Sequence, residues 1–159
     1  MQLLQTPPAE TKGFRLNHTM LRVRDARASV QFYTEVLGMR LIDEEDMGDF
    51  TLYFLGFPHE GDVAGAMPTH REGVLELTHN HGTESDAAFA GYASGNSDPG
   101  RGFGHLAVVV PDIEAACARF ETLGVQWKKR LTDGKMKNIA FLLDPDGYWI
   151  EVVPDRLKL

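Results

Sequence analysis

Cysteine is all but missing. Cys117 is the only one in 159 residues, so no internal disulfide can form, and a reducing, cytoplasmic setting is expected. No apolar run approaches the length that spans a bilayer, so an integral membrane protein is not expected. Positive charge is in deficit. Sixteen Lys and Arg stand against 23 Asp and Glu, a formal charge of −7. That balance argues against nucleic acid or an anionic membrane as the main partner, while leaving room for a local basic pocket. The opening MQLLQTPPAETKGF lacks a basic start, a long apolar core and a small-residue cleavage site, so no secretory leader is expected.

What is present is ordinary in bulk and unusual in arrangement. Hydrophobic residues make up 43% and charged residues 25%, as in a soluble globular domain. The chain repeats itself. His18 is followed by TMLRVRD and His105 by LAVVVPD, so each histidine leads a strand-like run ending on an aspartate, Asp25 or Asp112. Each aspartate is placed to cap a helix. Ala26, Val30, Tyr33 and Leu37 form one apolar stripe; Ile113, Ala116, Cys117, Phe120 and Leu123 form the other. Gly38 and Gly124 follow as stop signals. Three further strands are expected in each half: RLIDEED, FTLYFLGF and GVLELTHN, then VQWKKR, NIAFLLD and YWIEVVPD. The expected organisation is an N-terminal arm over 1–16 and a single α+β domain over 17–157. Its two βαβββ modules span about 17–80 and 103–154, joined by a linker over 81–102. Loops as long as 58–72 and 81–102 commonly carry function.

The repeat carries chemistry. Glu76 sits inside VLEL and Glu151 inside WIEV. A carboxylate in an apolar strand costs several kcal/mol unless something compensates it. Strand alternation puts His18 and Arg22 on one face of the first strand, and Glu76, Thr78 and Asn80 on one face of theirs. Each half thus offers one His and one Glu on an equivalent surface. Alone, a strand histidine is usually a satisfied core residue, and a buried Glu usually an ion-pair partner. Their joint recurrence points instead to two nitrogen and two oxygen donors for a divalent metal: His18, Glu76, His105 and Glu151. That set suits zinc, nickel, cobalt, iron or manganese and leaves open coordination positions. THNH at 78–81 mimics a metal signature, but His79 faces away from Glu76 and His81 lies in a loop, as do His59 and His70.

The strings HTMLRVRD, FYTEVLGMRL, LELTHN, GNSDP, RGFGH, DGKMK and DPDGYWIE resemble the glyoxalase I (lactoylglutathione lyase) family of the vicinal oxygen chelate superfamily. The resemblance runs from about residue 17 to 154. It implies a curled mixed sheet around one divalent ion. It also implies isomerisation of the methylglyoxal–glutathione hemithioacetal to S-lactoylglutathione through an enediolate, a methylglyoxal detoxification. The family's metal positions fall on the same four residues, with Glu151 as the main base and Glu76 serving the other epimer. Zinc is the expected ion, from the length of the 81–102 loop; nickel and cobalt are the alternatives.

A glutathione adduct requires cations and hydrogen-bond donors. Arg22, Thr78 and Asn80 are suitably faced. Arg101, Lys129 and Lys135 match family positions that hold glutathione carboxylates, although solvation accounts equally well for the lysines. Met136, Ile139 and Phe141 are candidates for an apolar end of the pocket, or for plain core packing. The resemblance further implies a homodimer with each site shared across the interface; intrachain pairing stays open. Competing readings are another enzyme of the superfamily, such as an acyl-CoA epimerase or an iron dioxygenase, and a non-catalytic binding protein of the same fold. The fourth donor, Glu76, disfavours a dioxygenase, which uses three.

Overall fold

The computed structural model describes residues 6–63 and 65–156. Residues 1–5 of the expected arm and residue 157 of the expected domain lie outside the described residues. Two four-stranded sheets form. In chain order the first contains β1 (His18–Val23), β2 (Arg40–Asp46), β3 (Phe50–Gly56) and β4 (Val74–Asn80); the second contains β5 (His105–Val110), β6 (Trp127–Lys129), β7 (Ala140–Leu143) and β8 (Trp149–Pro154). Their spatial orders are β1-β4-β3-β2 and β5-β8-β7-β6, the same topology twice. In each sheet the outer pair, β1·β4 or β5·β8, is parallel and the other pairs are antiparallel. This is the expected α+β duplication.

The helices begin where the aspartates put them. Asp25 Oδ1 accepts from the amide of Ala28, opening α1 (Ala26–Gln31). Asp112 Oδ1 accepts from the amides of Glu114 and Ala115, opening α2 (Ile113–Thr122). Each side chain satisfies donors that the first helical turn leaves unpaired. The chain leaves both helices through left-handed glycines, Gly38 at φ 81° and Gly124 at φ 67°. The first helix departs from the regular stripe: its last turn widens over Phe32–Val36. Thr34 Oγ1 bonds the carbonyl of Val30 there, a back-bond that competes with the helical ladder.

One core joins both modules. It takes Leu21 and Val23 of β1, Leu75 and Leu77 of β4, Tyr33, Val108, Phe120, Leu142, Ile150 and Val152. Its strand residues have the opposite parity to His18, Glu76, His105 and Glu151, so the faces bearing the His and Glu side chains look away from the core. Polar contacts lock the modules together. Tyr33 donates to Asp144, the amide of Arg24 and Ser29 Oγ donate to the two oxygens of Asp146, and the Arg119 guanidinium caps the carbonyls of Glu35 and Val36. β2 closes one sheet with acidic, exposed side chains that discourage strand addition. β1 and β5 are the opposite edges, and each carries one of the two histidines.

Candidate metal centre

Register fixes the donors. In the first sheet His18 pairs with Val74, so Glu76 lies two residues further along the neighbouring parallel strand, on the same face. In the second sheet His105 pairs with Trp149, and Glu151 lies two residues further along. The resulting distances are identical: His18 Nε2 to Glu76 Oε2 is 3.2 Å, and His105 Nε2 to Glu151 Oε2 is 3.2 Å. Both histidine side chains are 41% exposed, whereas Glu76 and Glu151 are 13% and 18% exposed. Each sheet therefore presents one nitrogen and one oxygen donor at a surface that solvent and ligands can reach.

The duplication extends to a residue that sequence reading passed over. Phe54 pairs in register with Glu76, and Phe141 with Glu151. Phe54 meets the His18 ring edge-on at 6.3 Å, and Phe141 meets the His105 ring edge-on at 5.4 Å. Phe141 is thus a wall of the His105 pair. Its twin Phe54 was detectable by aligning FTLYFLG with NIAFLL. A second such residue is Asn17, whose Oδ1 stands 2.8 Å from His18 Nδ1. Its amide nitrogen is tied to the carbonyls of Pro68 and Arg71, so the side chain is held in place. Nδ1–H donation to Asn17 leaves the Nε2 lone pair of His18 directed toward Glu76, the usual outer support of a metal-binding imidazole.

The donor chemistry fits a divalent ion. An imidazole nitrogen and a carboxylate oxygen bound to one ion, at bond lengths near 2.1 Å, stand about 3.0–3.4 Å apart. Both pairs meet that spacing. Two donors do not complete a site, and the two pairs do not converge within one chain. Among the described residues, no group of three or more His, Cys, Asp or Glu side chains is placed to hold an ion. Two of the other histidines have separate partners: His79 Nε2 lies 2.8 Å from Glu84 Oε2, and His81 Nε2 lies 2.8 Å from Thr51 Oγ1.

The remaining candidates fall into three places. Arg22, exposed on the His18 face, borders a cavity of about 390 Å³ lined also by Met20, Tyr92, Phe103 and Tyr148. The Tyr148 hydroxyl donates to the Arg22 carbonyl at 3.1 Å, and burial, then Asp146 and Asp144, push its pKa up to about 12, so it remains a donor. Thr78 Oγ1 donates to Glu76 Oε1 at 3.3 Å, and Asn80 Nδ2 to the Tyr92 hydroxyl at 3.4 Å. In the linker, Arg101 is paired with Asp98 at 2.8 Å at the surface. Lys129, Lys135 and Met136 belong to the β6–β7 hairpin: Met136 is exposed, Ile139 is buried, and Lys129 is bound to backbone carbonyls.

Known proteins resemble this chain over most of its length. A lactoylglutathione lyase of Pseudomonas putida is 54% identical over 157 residues, covering 94% of this chain and 89% of its own. A lactoylglutathione lyase of Schizosaccharomyces pombe is 50% identical, and this chain spans about half of it, 48%. The trypanothione-dependent glyoxalase I of Leishmania major superposes with a TM-score of 0.66 at 32% identity, over 90% of this chain and 88% of that one. Residues 15–152 match the family described as glyoxalase/bleomycin resistance protein/dioxygenase. With two modules of one topology and a match across nearly its whole length, the chain belongs to the glyoxalase/bleomycin resistance protein/dioxygenase superfamily.

Proposed function

We propose that this protein is a lactoylglutathione lyase that isomerises the methylglyoxal–glutathione hemithioacetal to S-lactoylglutathione at a metal site shared between two copies of the chain. Identity of 48–54% to relatives named lactoylglutathione lyase or glyoxalase I supports the activity. The observation that carries the shared site is the separation of the donors into two matched pairs. Each pair sits by an edge strand, β1 or β5, on a sheet that is open there. A two-fold axis that sets one copy's β1 edge beside the other's β5 edge would unite two nitrogens and two oxygens, twice per dimer. Phe14 and Leu16, large apolar side chains standing 79% and 82% exposed just before β1, supply surface for such a partner.

The residues that would hold the ion are His18 and Glu76 of one copy with His105 and Glu151 of the other; zinc, nickel and cobalt all accept this set. A divalent ion bound there supplies Lewis-acid stabilisation for negative charge developing on two adjacent substrate oxygens. The chain's residues do the rest. Glu151 removes the proton from C1, the carbon bearing sulfur; the C1–H electrons enter a C1–C2 double bond as the C2 carbonyl pair moves onto its own oxygen, giving the enediolate. Glu151 then returns that proton to C2 while the C1 hydroxyl proton passes to the C2 oxygen, so the C1 oxygen becomes the thioester carbonyl and the C2 oxygen the lactoyl hydroxyl. Glu76, on the matched face of the other module, serves the opposite hemithioacetal epimer. Both carboxylates are largely shielded from water, which favours proton return over exchange. Arg22 offers a bidentate donor for a glutathione carboxylate, with Thr78 and Asn80 for amide groups and Arg101 and Lys135 as further cations. Met136 and Phe141 line the methyl end.

No helix among the described residues is long and apolar enough to cross a membrane, and the one cysteine suits a cytoplasmic enzyme. The test is purified protein, stripped of metal and reloaded separately with zinc, nickel and cobalt, given methylglyoxal and glutathione. Thioester formation with at least one ion is expected; no turnover with any of them rejects the assignment.

A further inference from the structure

Lys129 matches the position of a substrate-binding cation, but its ammonium is already in use. Nζ donates to the carbonyl oxygens of Arg130 at 3.2 Å, Met136 at 2.5 Å and Ile139 at 2.8 Å. An ammonium has three N–H donors and no acceptor, so these bonds consume all of them. None of the ion pairs among the described residues involves Lys129. The three carbonyls come from both limbs of the 130–139 loop between β6 and β7. Asp133 folds the near limb, accepting from the Arg130 amide at 2.8 Å while its own amide donates to the Arg130 carbonyl.

The staple is rooted in the metal-donor face. Lys129 pairs in register with Phe141, and Phe141 with Glu151, so the three occupy one row across the second sheet. The Phe141 ring in turn rests on His105. From that row the Lys129 side chain reaches out and fixes the backbone of Met136, beside Lys135 at the loop tip. We infer that Lys129 is a positioning residue that organises the 130–139 loop before substrate arrives, rather than a direct ligand of a substrate carboxylate. This inference rests on the proposed lyase reading for its kinetic consequence only; the loop geometry stands without it.

The experiment compares wild type with Lys129→Met by amide hydrogen exchange without substrate, and by hemithioacetal kinetics at several ionic strengths. A charge-assisted bond lost from a surface loop predicts exchange at 131–139 faster by about tenfold, with the β-strand amides unchanged. KM is expected to rise by about tenfold with kcat little changed, because the loss falls on substrate positioning. The ionic-strength dependence of kcat/KM should keep its wild-type slope, since no substrate charge loses its partner. Unchanged loop exchange in Lys129→Met overturns the inference. So does a flattened salt dependence, which would mark a direct contact. Should Lys129→Met fail to fold, Lys129→Arg is the substitute: a planar fork cannot address three converging carbonyls, so faster loop exchange is again expected and its absence again overturns the proposal. If wild type turns over no hemithioacetal, the lyase reading fails while loop exchange still decides the role of Lys129.

Discussion

The phenol of Tyr33, in the first module, donates a 2.8 Å hydrogen bond to Oδ2 of Asp144, in the turn before the last strand of the second. Both residues are buried, and Asp144 is only 4% exposed. Oδ1 of the same carboxylate accepts from the amides of Asp146 and Tyr148. One aspartate therefore shapes its own turn and binds the other module's helix.

That arrangement predicts a pH dependence of stability. Burial raises the Asp144 pKa from 3.8 to about 6, although the bonds from Tyr33 and Tyr148 pull the other way. The folded chain thus holds this proton more tightly than the unfolded chain. The stabilising contribution is complete below about pH 4 and is lost as pH rises through about 6, roughly 3 kcal/mol in all. Asp146, also raised by burial, adds a slope of the same sign. Asp62 and Glu84, held low mainly by backbone hydrogen bonds, act with the opposite sign at lower pH. Asp144→Asn keeps an acceptor for the amides and lets Tyr33 accept instead of donate. Urea midpoints measured from pH 4 to 7 should show a shallower decline in Asp144→Asn than in wild type. An unaltered decline would remove Asp144 from the account.

The two glutamates should separate in their effects. On the proposed mechanism Glu151→Gln removes the main base and one donor, and a fall in kcat/KM of about 10²–10⁴ is expected. Glu76→Gln removes the equivalent donor and the base for the other epimer, so a smaller fall is expected on the racemic hemithioacetal. Metal content of both proteins and the proton NMR spectrum of the product would check this. Equal losses with equal metal content would show that the bases are interchangeable.

Asn17 offers a milder perturbation. Its contact with His18 Nδ1 has no twin in the second module, where Gly104 precedes His105. Asn17→Ala frees the imidazole to rotate and change tautomer, and metal affinity should weaken by about tenfold to a hundredfold. Competition against a chromophoric chelator measures this. Affinity equal to wild type would show that the support is dispensable.

Much of this was legible in the residues, because the duplication acts twice on the same signals. Asp25 and Asp112 announced both helix starts, and Gly38 and Gly124 both ends; each has a local physical cause that tertiary context did not override. Strand parity placed His18 with Glu76 and His105 with Glu151, since a period of two leaves one choice of face. Less legible were contacts that depend on packing between modules. Nothing local in SVQFYTEV says that Tyr33 will meet an aspartate 111 residues away. The engagement of Lys129 by three carbonyls was hidden as well, because a lysine in KKR reads as a solvated charge until the hairpin geometry is known. Whether the two pairs meet within one chain stayed open for a related reason: the repeat specifies each sheet and is silent on how the sheets face each other.

That division gives a test of shared sites that needs no structure of the assembly. One variant carries Glu76→Gln, spoiling its first module; the other carries Glu151→Gln, spoiling its second. Neither homodimer contains an intact site, whether sites are shared or not. If the pairs unite across a two-fold axis, a mixed dimer joins the sound first module of one variant to the sound second module of the other, restoring one full site. Random exchange makes about half of the dimers mixed, each with one good site of two, so mixing should recover about a quarter of wild-type activity. Sites formed within a single chain would recover nothing, since every chain in the mixture carries a lesion. The measurement is activity of the two variants alone, mixed, and mixed after mild dissociation and reassociation. Recovery only after reassociation identifies subunit exchange as its source. Activity that stays at the level of the separate variants, with mixed dimers verified by mass, would place both His–Glu pairs in the service of one chain and end the shared-site reading.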